Sequence, residues 1–315
     1  MAALLVDLSV ELAGLALANP VLVASGTFGY GTEYADLADV SRLGGICTKA
    51  VTLEPRTGNP PPRICETPAG MLNAIGLQNP GVEVFLSEKM PALREFGVPI
   101  IVNIAGESVA DYVSLARQLS DCPDAAALEL NLSCPNVKRG GMQFGIDSEL
   151  TERVVTAVRE ATELPLIAKL SPNVTDIVSI AKAARDGGAN ALSLINTLVG
   201  MSIDIDRRQP TLANVTGGLS GPAIRPVAVR MVWEVAQAVD LPIIGMGGIT
   251  SAADALQFIM AGATAVAVGT ANFVKPDVAG RIIDDLADFC RQADVARMAD
   301  LIGAAHSSSD VEGSQ

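Results

Sequence analysis

The sequence predicts an α/β chain folded as a (β/α)8 TIM barrel, with an N-terminal β-hairpin and inserted loops at the C-terminal face. Three observations carry this expectation. Eight short runs rich in Val, Ile, Leu and Ala are almost continuously apolar, as strands buried on both faces should be. Stretches of helical periodicity separate most of them, and a repeating strand-then-helix pattern is how a parallel sheet reads in sequence. Of 315 residues, 49% are hydrophobic but only 3% aromatic, so the core must be built from small aliphatic side chains that pack helices tightly on strands.

The elements follow in chain order. Residues 4–20 (LLVDLSVELAGLALANP) alternate in polarity and predict a hairpin closing the barrel bottom. Strands are expected at 20–25 (PVLVAS), 45–50 (GICTKA), 99–104 (PIIVNI), 127–132 (ALELNL), 165–170 (PLIAKL), 191–196 (ALSLIN), 242–247 (PIIGMG) and 263–268 (ATAVAV). A helix over 176–185 is stopped by Gly187 and Gly188. Another over 222–239 carries Ile224, Ala228, Met231, Val235 and Val239 on one face. A third opens at Thr250, Ser251 and Asp254 with capping-box chemistry and closes at Gly262. Two connections, 51–80 and 197–221, are too long for simple turns. Both leave C-terminal strand ends, the face on which barrel enzymes carry their chemistry. The barrel is expected to occupy residues 1–304 as one domain, with 305–315 a polar, disordered tail.

Composition excludes several function classes. A net charge of −13 repels phosphate backbones, so no nucleic-acid partner is expected. No apolar run approaches the roughly 20 residues of a membrane span. The N-terminus has no basic region before its apolar residues, so the chain reads as cytoplasmic and without a membrane partner. Five cysteines at 47, 65, 122, 134 and 290 form neither a disulfide framework nor a C-x-x-C pair, so no zinc or iron–sulfur site is expected on this chain. The single histidine, His306, lies in the polar tail, which excludes a Ser-His-Asp triad. Proton chemistry therefore falls to Cys, Lys, Tyr or a carboxylate.

The chemical signal is at the strand ends. Lys49, Asn103, Asn131, Lys169 and Asn196 interrupt otherwise apolar strands at their C-terminal ends. A solvated strand end explains any one of them; five of eight strands point instead to a flat, heteroatom-edged, anionic ligand. The seventh and eighth strands end in Gly247, Gly248 and Gly269, Thr270, where backbone N–H groups can approach a phosphate, and 217–221 (GGLSG) offers another such approach. No dinucleotide G-x-G-x-x-G motif accompanies them, so a mononucleotide such as FMN is expected and no NAD site. Cys134, with Lys138 and Arg139 following and Gly140 and Gly141 loosening the loop, is placed for thiolate chemistry. The other four cysteines read as small buried hydrophobes.

The stretches 24–34 (ASGTFGYGTEY), 44–81 (GGICTKAVTLEPRTGNPPPRICETPAGMLNAIGLQNPG), 128–145 (LELNLSCPNVKRGGMQFG), 192–197 (LSLINT) and 245–249 (GMGGI) resemble class 1 dihydroorotate dehydrogenases, and more specifically the class 1B catalytic subunits. The resemblance runs from about residue 4 to 300. It implies oxidation of (S)-dihydroorotate to orotate, with Cys134 removing the C5 proton and FMN accepting the C6 hydride. It implies flavin contacts from Ser25, Lys49, Ala50, Asn103, Asn131, Lys169, Ile195, Gly221, Gly247, Gly248, Gly269 and Thr270. It implies substrate contacts from Lys49, Asn73, Ala74, Ile75, Gly76, Leu77, Asn131, Asn196 and Thr197, and no metal. The physical fit is direct: asparagine amides pair with ring N–H and C=O groups, Lys49 faces a carboxylate, and Lys169 stabilises charge developing on the flavin. The resemblance further implies that an FAD and 2Fe–2S electron-transfer subunit carries electrons to NAD+, around a homodimer core within a heterotetramer. Alternatives weighed against this are a homodimeric enzyme using fumarate or another acceptor, and a non-catalytic flavin-binding barrel.

Overall fold

The computed structural model describes residues 5–133 and 144–306. Eight parallel strands close into a barrel: β1 Val21–Val23, β2 Gly45–Cys47, β3 Ile100–Ile104, β4 Ala127–Asn131, β5 Leu166–Lys169, β6 Ala191–Leu194, β7 Ile243–Met246 and β8 Ala265–Val268. Each pairs with its sequence neighbours, and β8 pairs with β1. All eight expected strands are present, trimmed at their ends because the terminal residues turn away from the ladder. Their side chains are buried almost throughout, since helices cover the outer face and side chains fill the interior.

The helices obey local sequence chemistry. Ile177–Asp186 is capped by Asp176, whose carboxylate accepts from the N–H groups of Val178 and Ser179, and it ends at Gly187 and Gly188, the latter at φ 96°. Arg225–Ala238 buries Ala228, Met231 and Val235, with Ile224 and Val239 buried at its two ends. At Ala252–Met260 the Ser251 hydroxyl accepts from the Asp254 N–H as expected, but the Asp254 carboxylate reaches Thr250 rather than closing a capping box on Ser251. Val82–Val84, Phe85–Lys89 and Met90–Arg94 run on as one helical stretch between β2 and β3, the middle portion in π geometry.

Val10–Leu12 and Leu15–Leu17 form the expected N-terminal hairpin, turning at Ala13 and Gly14, both with positive φ. Leu12 and Leu17 are buried in the main core. His306 stacks on Trp233 with ring centroids 4.0 Å apart, and its Nε2 lies 2.9 Å from the Ala261 carbonyl. No helix among the described residues is long and apolar enough to cross a membrane.

The two long connections depart from the expectation of loops. Ile64–Thr67 and Gly70–Asn73, from the connection after β2, join Leu198–Met201 and Thr216–Ser220, from the connection after β6, in one antiparallel four-stranded sheet. The seam between the two connections pairs Gly218 with Asn73, Leu219 with Leu72 and Ser220 with Met71. Leu72, Ala74 and Leu212 form a small second core beneath it.

Candidate active site

The barrel interior is polar on one side. Paired positions on adjacent parallel strands share a face, so Asn103 on β3, Glu129 on β4, Lys169 on β5 and Ser193 on β6 converge inside. Asn103 and Glu129 are 0% exposed and Lys169 5%. Asn103 Nδ2 donates to Glu129 Oε2 at 2.5 Å, Ser193 Oγ donates to Glu129 Oε1 at 2.7 Å, and Lys169 Nζ lies 3.5 Å from Glu129 Oε2. With its amide nitrogen committed, Asn103 presents Oδ1, a buried acceptor without a partner among the described residues. The neighbouring Cys47 on β2 is fully buried; burial and the Glu129 charge hold its thiol well above its ordinary pKa, against the pull of Lys169, so it stays protonated.

Above this floor, Asn196 Nδ2 donates to Asn131 Oδ1 at 3.2 Å, and the Asn131 carbonyl accepts from Tyr112 OH at 2.7 Å. Thr197 N–H donates to Asn196 Oδ1. Lys49 follows β2, its N–H donating to the Gly29 carbonyl. Burial lowers the pKa of its ammonium, the Arg63 charge lowers it further, and Glu33 opposes both. Ala50 is buried, and the next residue, Val51, is hydrogen-bonded to β3. The segment 73–77 leads out of the four-stranded sheet, where Asn73 Nδ2 donates to the Gly218 carbonyl at 3.3 Å. Gly76 and Leu77 both have positive φ, so the chain folds back sharply there.

The glycine turns gather on the opposite rim. Gly221, Gly247 and Gly248 have φ of 97°, 138° and 71°. A Cβ on Gly248 would sit 2.6 Å from the Gly221 carbonyl oxygen, so these two turns touch backbone to backbone. Arg225 pairs with Asp254 at 2.5 Å and donates to the Gly248 carbonyl at 3.4 Å. Burial would raise the pKa of Asp254, but hydrogen bonds from Thr250 and Ser251 and the Arg225 charge hold its carboxyl below the usual range. Thr270 Oγ1 donates to Ser220 Oγ at 2.7 Å, tying the end of β8 to the same rim. Gly269 lies beside Ala24 and Thr27, and so beside the turn that carries Ser25. Ile195 N–H donates to Met246 on β7.

The polar floor, amide ring and glycine rim together form one site at the C-terminal mouth of a closed barrel. The family profile described as dihydroorotate dehydrogenase matches residues 7–290. The chain belongs to the dihydroorotate dehydrogenase family. Curated relatives agree. The catalytic subunit of dihydroorotate dehydrogenase B (NAD(+)) from Geotalea uraniireducens (strain Rf4) is 57% identical over 298 residues, covering 95% of this chain and 98% of that one. The subunit of the same name from Desulforudis audaxviator (strain MP104C) is 60% identical over 301 residues, covering 96% and 98%. That of Geobacter sulfurreducens (strain ATCC 51573 / DSM 12127 / PCA) is 56% identical over 298 residues, covering 95% and 98%.

Within this dihydroorotate dehydrogenase fold, every candidate flavin or substrate contact lies on a barrel-strand end or on the connections that follow. Cys134, with Lys138, Arg139, Gly140 and Gly141, lies outside the described residues. Cys47 and Cys290 are buried as expected, but Cys65 and Cys122 are only half-buried, because one sits on the four-stranded sheet and the other in the turn after a helix.

Residue-by-residue reading missed the groups that hold these contacts in place. Glu129 and Ser193 underpin the floor. Asn59 donates to the carbonyls of Ala74 and Ile75. Asn79 bonds Thr52, the Leu77 carbonyl and the Gly81 N–H, closing the other end of the 73–77 segment. Asn173 bonds Thr197 and Val199 where the second connection leaves β6. The available signal was an acid inside an apolar strand, for Glu129, and asparagines among prolines and glycines, for Asn59 and Asn79.

Proposed function

We propose that this chain oxidises (S)-dihydroorotate to orotate in pyrimidine (UMP) biosynthesis, with FMN taking the hydride and a partner subunit passing the electrons to NAD+. The observation that carries the reading is the buried Asn103 Oδ1, without a partner among the described residues, which shares the Glu129 carboxylate with the Lys169 ammonium on the floor of a mouth whose far rim is glycine backbone. An orphan acceptor next to a cation fits a flat ring with N–H and C=O edges, and backbone N–H groups freed of side chains fit its phosphate. FMN is therefore compatible with the residues present. Asn103, Lys169, Lys49, Ala50, Asn131, Ile195 and Ser25 would hold its ring side, and Gly221, Gly247, Gly248, Gly269 and Thr270 its phosphate side. When bound, FMN supplies a two-electron acceptor for the substrate's C6 hydrogen.

The chain's own residues do the rest. Lys49 faces the substrate carboxylate, and its partial burial makes the attraction between the two charges stronger than at an open surface. Asn73, Asn131 and Asn196 offer both donors and acceptors to the ring, while the fold-back through Ala74, Ile75, Gly76 and Leu77, with Thr197, encloses it. Cys134 takes the C5 proton as a thiolate.

With NAD+ as the final acceptor, electron exit falls to a second protein, since the sequence carries neither an iron–sulfur spacing nor a dinucleotide motif. Its relatives are named as catalytic subunits of an NAD(+) enzyme. We assign the partner FAD and a 2Fe–2S cluster, two copies of each subunit per assembly, and a cytoplasmic location.

The test is the visible spectrum of the purified chain, followed by anaerobic dihydroorotate. A yellow protein that bleaches is the expected result, and a colourless one overturns the reading. C134S should bleach at least about 100-fold more slowly at neutral pH, the contribution of a positioned general base. Unchanged bleaching removes Cys134 from its role. Reduction of NAD+ by the isolated chain would overturn the partner.

A further inference from the structure

We infer that Glu129 is a positioning residue that sets the reduction potential of the flavin, by fixing the Asn103 amide and partly neutralising Lys169; the inference rests on the function proposed above. Its carboxylate is wholly buried and binds three side chains from three other strands: Asn103 on β3, Lys169 on β5 and Ser193 on β6. Two of those partners, Asn103 and Lys169, are candidate flavin contacts. No candidate contact to flavin or substrate falls on Glu129 itself.

Stability does not account for such a group. A buried ion pair loses both hydration shells, and replacing one with apolar side chains of similar size is often neutral or stabilising. Its neighbours along the strand, Leu128 and Leu130, and its ladder partner Ile167 are buried and apolar, so the position sits in an ordinary barrel core.

The geometry shows what the carboxylate achieves. An amide can present either end, and without a fixed acceptor Asn103 could turn its Nδ2 outward. Glu129 Oε2 accepts from Nδ2, so Oδ1 is the end left to a ligand. The same oxygen lies 3.5 Å from Lys169 Nζ, longer than a close hydrogen bond, so the ammonium is held but not consumed. The floor thus presents one oriented acceptor and one cation whose field is partly cancelled by a negative charge behind it. Because the site is buried, that cancellation is weakly screened. Removing the Glu129 charge leaves the Lys169 field uncompensated. Negative charge that builds on the flavin during reduction is then favoured more, and the potential rises.

The experiment measures the FMN reduction potential of the purified chain with reference dyes, for wild type, E129Q, E129D and S193A. E129Q keeps the side-chain size and removes the charge. Its equilibrium constant for reduction should rise about tenfold or more, close to 30 mV for a two-electron couple. E129D keeps the charge but draws it away from Lys169, so its potential should rise by less. S193A removes one hydrogen bond to Glu129 and leaves the charge, so its potential should stay within a factor of two in that constant. If E129Q does not fold, E129D against S193A decides the matter. An unchanged or lowered potential in E129Q, or no rise in E129D, overturns the inference. Equal shifts in E129D and S193A also overturn it, by showing general loosening. A wild-type chain that takes up no FMN overturns the proposed function and this inference together; a yellow wild type with an insensitive potential overturns this inference alone.

Discussion

Gly248→Ala tests whether the glycine rim exists because two turns must touch. At φ 71° an alanine pays the left-handed penalty, about 1–2 kcal/mol. Its Cβ would also lie 2.6 Å from the Gly221 carbonyl oxygen, 2.9 Å from Pro222 Cα and 3.1 Å from Arg225 Cβ. The first two are backbone or ring-bound atoms that cannot swing aside, so overpacking adds about 1–3 kcal/mol. The expected destabilisation is therefore about 2–5 kcal/mol by these two contributions. Gly97→Ala supplies the control. Gly97 has φ 69° but no heavy atom within 4 Å of its would-be Cβ, and it lies exposed after a helix end. It should lose only the left-handed term, about 1–2 kcal/mol. Urea unfolding of the two variants beside wild type measures the difference, and the rate of FMN release reports on the rim itself. G248A should unfold at lower urea than G97A and release FMN faster, while G97A should hold FMN like wild type. Equal midpoints, or equal FMN release in all three proteins, would refute the argument from close approach.

Two further outcomes follow from the surroundings of the proposed substrate contacts. Burial and Arg63 lower the Lys49 pKa while Glu33 raises it, so binding that needs the ammonium weakens at alkaline pH sooner than for an ordinary lysine. Glu33→Gln should move that alkaline limb to lower pH in a pH profile of KM for dihydroorotate, and Arg63→Gln should move it to higher pH; movement of both in one direction would contradict the assignment. Asn79→Ala leaves Thr52, Leu77 and Gly81 without their shared partner and should destabilise by about 1–3 kcal/mol. It should raise KM more than it lowers kcat, because it loosens the segment proposed to bind substrate; steady-state kinetics on the holoenzyme checks the split.

The barrel was legible in sequence because strands buried on both faces leave a compositional trace, and because Asp176, Ser251, Gly188 and Gly262 mark helix ends through local chemistry. Lys49, Asn103, Asn131, Lys169 and Asn196 were legible for the opposite reason, as polar groups at the ends of apolar runs. Glu129 obeys the same logic one step further inside, yet within ALELNL it passes as one polar position in an apolar strand. Its partners come from other strands, and nothing local announces them. The pairing of Asn73 with Gly218 was illegible for the same reason: 145 residues separate them, and neither connection alternates strongly enough to declare a strand.

That seam has a consequence for anyone exchanging parts between relatives. Since Met71, Leu72 and Asn73 are held in register by Ser220, Leu219 and Gly218, the two excursions behave as halves of a single lintel over the doorway. Transplanting one half alone would skew the other, so a graft intended to retune what enters should carry both.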